Sequence, residues 1–176
     1  MPSGLPEFLD PWRCADSEAE FTGLLALARF PRLRGLLSEA DGHVTFRLRF
    51  SRDLARRAVV RGDVRARLRL ICQRCLGPLE HTVEETFTLA LVQGLDEMHR
   101  LPDRYEPLLA VGEIVRPLEL LEDEMLLALP QIPTHPVGEC EPDGVSSTGA
   151  EGLDDEATGE SRPFAVLAGW RGRSRD

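Results

Sequence analysis

The sequence contains no lysine, and all 21 of its basic residues are arginine. Codon bias accounts for that as readily as function does, although arginine also suits bidentate contact with phosphate. No stretch approaches the roughly twenty apolar residues that a membrane helix requires. The longest candidates, Leu24 to Leu27 and Met125 to Leu129, are interrupted by charge or proline. From Met1 to Asp16 no basic segment leads into an apolar one, so a secretory signal is not expected and the protein is expected in the cytoplasm, with no membrane partner. There is no internal repeat. A Gly-rich phosphate loop, a nucleophile elbow and paired histidines on a helix face are all missing, which excludes those catalytic classes and predicts a non-enzymatic protein.

What is present fits one domain with a tail: 176 residues, 42% hydrophobic and 29% charged. The net charge of −9 hides a division. Residues 1–75 carry 14 Arg against 9 acids, whereas residues 76–176 carry 7 Arg against 21 acids. Such asymmetry points to a polyanion partner for the first half, or equally to two halves that neutralise each other in the fold.

Ser17-Glu18-Ala19-Glu20 has the form of a capping box, and Phe21, Leu24, Leu25 and Ala28 follow at helical spacing, predicting a helix over 17–29 that Pro31 ends. Leu33, Leu36 and Leu37 suggest one further turn before Asp41-Gly42 reverses the chain. From Val44 the period changes to two. Val44, Phe46, Leu48 and Phe50 alternate with Thr45, Arg47 and Arg49, and Val64, Ala66, Leu68 and Leu70 alternate with Arg65, Arg67 and Arg69. Thr82 to Val92 forms a third strand with hydroxyls and acid on its outer side. Leu108 to Val111 could add a short one. Pro117 opens a helix over 117–129 with a stripe of Leu118, Leu121, Met125 and Ala128, which leaves Glu122, Asp123 and Glu124 as a solvated run. The expected fold is α+β, an antiparallel sheet or partial barrel of three or more strands with flanking helices. Residues 1–140 make the domain, 141–162 a flexible acidic linker, and 163–176 an apolar segment suited to docking back, followed by a tail.

Cys72-Gln73-Arg74-Cys75 has the spacing that lets two thiolates reach one tetrahedral metal ion. His135 and Cys140, with four residues between them, supply a second pair, so the four make a candidate Cys3His site for one zinc ion. The plainer alternative is a pair of loop thiols and a solvated histidine. A redox motif would instead sit at the start of a helix in a thioredoxin-like setting, whereas this one ends an alternating strand. Cys14 stands apart as an inert thiol. Arg47, Arg49, Arg65, Arg67 and Arg69 would project from one side of two paired strands, a candidate grip on RNA phosphates. Phe46 and Phe50 point to the core, so the face lacks the interleaved aromatics of a base-reading platform. Pairing of the same arginines with nearby acids is the competing reading.

The run Val64 to Leu79, with Cys72-Gln73-Arg74-Cys75-Leu76-Gly77-Pro78 at its centre, resembles the signature of the YceD-like family of large ribosomal RNA subunit accumulation proteins. Glu122 to Pro130 followed by Pro133, His135 and Cys140 resembles its second motif, and Pro163-Phe164-Ala165-Val166-Leu167 its C-terminal one. The acidic stretch from Gly149 to Glu160 departs from that pattern. The resemblance implies a bacterial or plastid role in synthesis, processing or stability of the large-subunit (23S) ribosomal RNA, without catalytic activity. The implied partner is that RNA or its precursor particle, met directly or through a ribosomal protein or assembly factor. A second possibility is a protein adaptor whose acidic half captures a basic ribosomal protein.

Overall fold

The computed structural model describes residues 4–110 and 114–140. The expected linker and the apolar C-terminal segment lie outside the described residues.

Five strands share one face of buried apolar residues. In chain order the elements are α1 (Pro11–Asp16), β1 (Glu20–Ala26), a single 3-10 turn (Leu27–Arg29), α2 (Pro31–Arg34), β2 (Leu37–Glu39), β3 (His43–Arg52), β4 (Ala58–Ile71), β5 (Pro78–Val92), α3 (Leu95–Met98), β6 (Glu106–Leu109) and α4 (Pro117–Leu127). The sheet runs β1-β3-β4-β5-β6, and the short β2 pairs with β4 beyond the start of β3. All pairs are antiparallel except β5–β6, which is parallel. The α+β class expected from the sequence is thus observed, with the sheet mixed at its β6 edge.

The alternation in β3 as far as Phe50 and in β4 from Val60 to Leu70 is a direct consequence of the pleat: every second residue is buried, and those between are exposed. Leu48, Phe50, Val60, Val64, Leu68 and Leu70 line the inner face, where Phe30, Leu33, Leu121 and Met125 from the helical segments cover them. Burying each such side chain contributes about 1.5–3 kcal/mol. Gly62 lies opposite Phe87 in the β4–β5 register, and a Cβ there would fall 2.0 Å from the Phe87 ring. The ring therefore occupies the place of the missing side chain.

The helix expected over 17–29 is absent: that segment is mostly β1, paired along its length with β3 from Glu20↔Arg49 to Ala26↔His43. Ser17 ends a helix rather than starting one, since its hydroxyl donates to the carbonyls of Arg13 and Cys14 at the C-terminus of α1. Glu18 then takes a left-handed conformation (φ 50°) that breaks any helical continuation. The missed α1 carries its own signal in Asp10-Pro11. The Asp10 carboxylate accepts the Arg13 N–H at 3.0 Å, and Pro11 occupies the first turn. Pro31 likewise begins the short α2 instead of closing a helix.

Candidate metal centre and the arginine-bearing sheet face

The turn between β4 and β5 is built around Cys72 and Cys75. Cys72 N–H donates to the Gly77 carbonyl at 2.9 Å and Leu76 N–H to the Cys72 carbonyl at 2.9 Å, folding the chain into a tight knuckle. Leu76 adopts φ 59°, a conformation uncommon for a branched side chain. The segment after α4 returns to this knuckle, where Gln73 N–H donates to the Pro133 carbonyl at 2.8 Å. The four candidate ligands thereby meet: the ligand atoms of Cys72, Cys75, His135 and Cys140 all lie within 4.8 Å of one another, a group that could hold a metal ion. Cys72 Sγ is 3.9 Å from Cys140 Sγ, and Cys75 Sγ is 3.5 Å from His135 Nδ1.

The surroundings favour an anion at Cys72 and oppose a second one at Cys75. Burial pushes the Cys72 thiol up, but N–H donors from Cys75, His135 and Arg74 outweigh it and bring its pKa down to about 5. At Cys75 the Gly77 N–H pulls downward, yet burial and the sulfurs of Cys140 and Cys72 hold that thiol above its ordinary range. One thiolate thus opposes ionisation of its neighbour, and a cation bound among the sulfurs would relieve that opposition. His135 Nε2 sits 3.1 Å from the Pro78 carbonyl, which can only accept, so Nε2 carries a proton and Nδ1 is the ring nitrogen that faces the sulfurs. Arg74 was not anticipated as part of the site: its guanidinium reaches Cys140 Sγ at 3.1 and 3.2 Å. The only signal for it was its place between the two cysteines.

On the sheet's outer side, Arg47, Arg49, Arg65, Arg67 and Arg69 are all exposed. They are not equivalent. Arg47 and Arg49 share Glu20 at 3.3 and 3.4 Å, and Arg69 pairs with Glu39. Arg65 and Arg67 form no ion pair among the described residues, nor does Arg61, an exposed member of the same row that sequence reasoning passed over. Glu20 acts here because β1 is a strand lying beside β3. Thr82, Glu84 and Thr86 extend the face on β5 with hydroxyls and acid.

The expected solvated acidic run is corrected. Glu122 and Glu124 are 2% and 7% exposed. Glu122 accepts the N–H groups of Arg32 and Leu33 at 2.8 and 3.1 Å and pairs with the Arg32 guanidinium at 3.0 Å, so it caps α2 from another element. Burial, with Glu106, Asp123 and Glu85 nearby, pushes the Glu124 carboxyl up to about 7. Only Asp123 of the three is exposed, and it pairs with Arg32 at 2.6 Å.

Fold and site together define a class: an α+β domain whose central hairpin ends in a Cys3His group able to hold a metal. The family model for Large ribosomal RNA subunit accumulation protein YceD matches residues 60–169, which include all four of those side chains. The chain belongs to that family. A relative from Haemophilus influenzae, named Large ribosomal RNA subunit accumulation protein YceD, is 32% identical over 166 residues, covering 93% of this chain and 94% of its own length. No solved structure is significantly similar. Among the described residues no helix is long and apolar enough to cross a membrane.

Proposed function

We propose that this protein supports accumulation of the large-subunit ribosomal RNA by binding that RNA or its precursor particle through the outer face of β3 and β4, without catalysis. The observation that carries the reading is the exposed row Arg61, Arg65 and Arg67, which has no acidic partner within ion-pair distance among the described residues. Arginines on an open sheet face fit a phosphate backbone, and the absence of exposed aromatics between them fits contact with backbone rather than with bases. Binding through phosphates releases counterions, so affinity should fall steeply with salt. Replacing Arg65 and Arg67 with Ala in the full chain should weaken binding to ribosomal RNA fragments and make the salt dependence shallower by roughly 0.7–0.9 per lost contact. RNA binding that is absent, or that keeps its salt slope in the double variant, would remove this face from the mechanism.

The Cys3His group supports a second part of the reading, a single structural zinc ion that fixes the β4–β5 hairpin. Tetrahedral zinc with Zn–S of about 2.3 Å and Zn–N of about 2.0 Å places sulfurs about 3.8 Å apart and sulfur about 3.5 Å from nitrogen. The Cys72–Cys140 and Cys75–His135 separations of 3.9 and 3.5 Å fit those edges. Four protein ligands leave no open position for a reacting water, so the ion would order the chain rather than activate a substrate. Elemental analysis of anaerobically purified protein should find one zinc per chain.

A further inference from the structure

We propose that Arg74 is the positioning residue of this centre: its guanidinium neutralises the Cys140 sulfur and holds the His135–Cys140 loop in ligand geometry. The proposal deepens the zinc reading and rests on it. Arg74 occupies the spacer between Cys72 and Cys75, so the first ligand pair fixes its backbone, and its N–H donates to Cys72 Sγ at 3.4 Å. The side chain then crosses to the second pair. Nε and Nη2 both donate to Cys140 Sγ, at 3.2 and 3.1 Å, and Nη2 also donates to the carbonyls of His135 and Pro136 at 2.9 and 3.0 Å. One residue thus touches sulfur in both halves of a site whose ligand pairs lie about sixty residues apart in the chain.

Two physical consequences follow. Three thiolates and a neutral imidazole around a dication leave one net negative charge on the centre, and a guanidinium at hydrogen-bond distance from the half-buried Cys140 sulfur offsets it. The fork also ties down the loop that carries His135 and Cys140, so part of its ordering cost is met before the ion arrives. Lysine would supply the charge but, as a point donor, could not hold one sulfur and two carbonyls in this planar arrangement.

The test compares wild type, Arg74→Ala, Arg74→Lys and Arg74→Gln as full-length chains. Zinc affinity is read by chelator competition, and the coordination by the absorption of cobalt-loaded protein. Arg74→Ala should weaken zinc binding about 10–100-fold, the usual cost of losing an outer-shell partner, while the tetrahedral cobalt spectrum persists because no ligand is lost. Arg74→Lys should recover part of the affinity, and Arg74→Gln, which can still donate hydrogen bonds but has no charge, less than Arg74→Lys. Circular dichroism of the metal-free proteins separates this from misfolding, and if Arg74→Ala fails to fold the comparison passes to the Lys and Gln variants. Wild-type affinity in Arg74→Ala or Arg74→Gln would overturn the proposal alone. A wild type that takes up neither zinc nor cobalt would overturn the zinc reading beneath it.

Discussion

At one end of β4 the turn from β3 is tied by a carboxylate, and at the other the turn into β5 is tied by a cluster of sulfurs. Asp53 accepts the N–H groups of Ala55 and Arg57 at 2.9 and 2.8 Å, and its second oxygen accepts from the Arg57 guanidinium and the Tyr105 hydroxyl, each at 3.1 Å. Every negative lobe of that carboxylate meets a donor from the chain itself. Around Cys72, Cys75 and Cys140 the same number of donors is shared among three crowded sulfurs instead of one carboxylate, and the Cys72 and Cys140 sulfurs approach to 3.9 Å. Two hairpins of one strand therefore differ in self-sufficiency. The first is closed by donors from the chain itself, and the second ends in a group that could hold a metal ion.

Metal removal gives the largest expected effect. Chelation, or Cys72→Ser, should destabilise the protein by about 3–4 kcal/mol, the linkage expected for a ligand present at 100–1,000 times its dissociation constant. Amide exchange should accelerate around residues 72–78 and 133–140 while the 53–57 turn stays protected. Equal loss of protection at both turns would mean that the sulfur cluster is not a separately stabilised unit.

Glu124 extends the comparison to a carboxyl that is buried, like that of Asp53, but shifted the other way. Donors from Arg57, Tyr105 and Ala55 overcome burial and lower the Asp53 pKa, whereas burial and neighbouring acids raise Glu124 to about 7. A raised carboxyl pKa favours the protonated native state. Its contribution is complete below the unfolded value of 4.5 and is lost as pH rises toward about 7, a change of up to about 3 kcal/mol. Glu124→Gln should remove that slope and make the protein more stable above pH 7, as read by chemical denaturation across pH. An unchanged pH profile in the variant would show that Glu124 does not titrate with folding.

For Asp53 the sign reverses. Its contribution is present above the unfolded value of 3.8 and disappears as pH falls through the lowered native value. Asp53→Ala leaves part-buried donors of Arg57 and Tyr105 unpaired and should cost about 2 kcal/mol, with chelator sensitivity unchanged. A variant as stable as wild type would show that water satisfies those donors equally well.

Much of this arrangement was legible in the chain, for reasons that differ by element. The strands β3 to β5 carry the period of two because one face is buried, and α4 begins at Pro117 as the proline predicts. Ligand spacing singled out Cys72, Cys75, His135 and Cys140 because zinc chemistry restricts it, although only the fold could bring the two pairs together. β1 was illegible because its Leu- and Ala-rich run favours a helix locally, and long-range pairing with β3 decides otherwise. The burial of Glu122 was hidden for a related reason. Its partners are the first N–H groups of α2, about ninety residues away, and a charged run shows no sign of them.

The smallest expected effect isolates strain at the second turn. Leu76 holds φ 59° directly after the candidate ligand Cys75, and it is 74% exposed, so it has little burial to offset an unfavourable backbone. Glycine adopts that conformation without the Cβ clash, although it also adds freedom to the unfolded chain. The clash relieved exceeds the entropy lost, and Leu76→Gly should stabilise the zinc-loaded protein by about 1 kcal/mol, visible as a small rise in Tm. Zinc affinity should stay the same or tighten slightly, because the knuckle no longer has to impose the turn on a leucine. A fall in Tm with zinc still bound would mean that Leu76 makes a contact whose loss outweighs the strain. In that case the second turn would depend on its side chains as the first depends on Asp53, and the contrast between them would narrow to the metal alone.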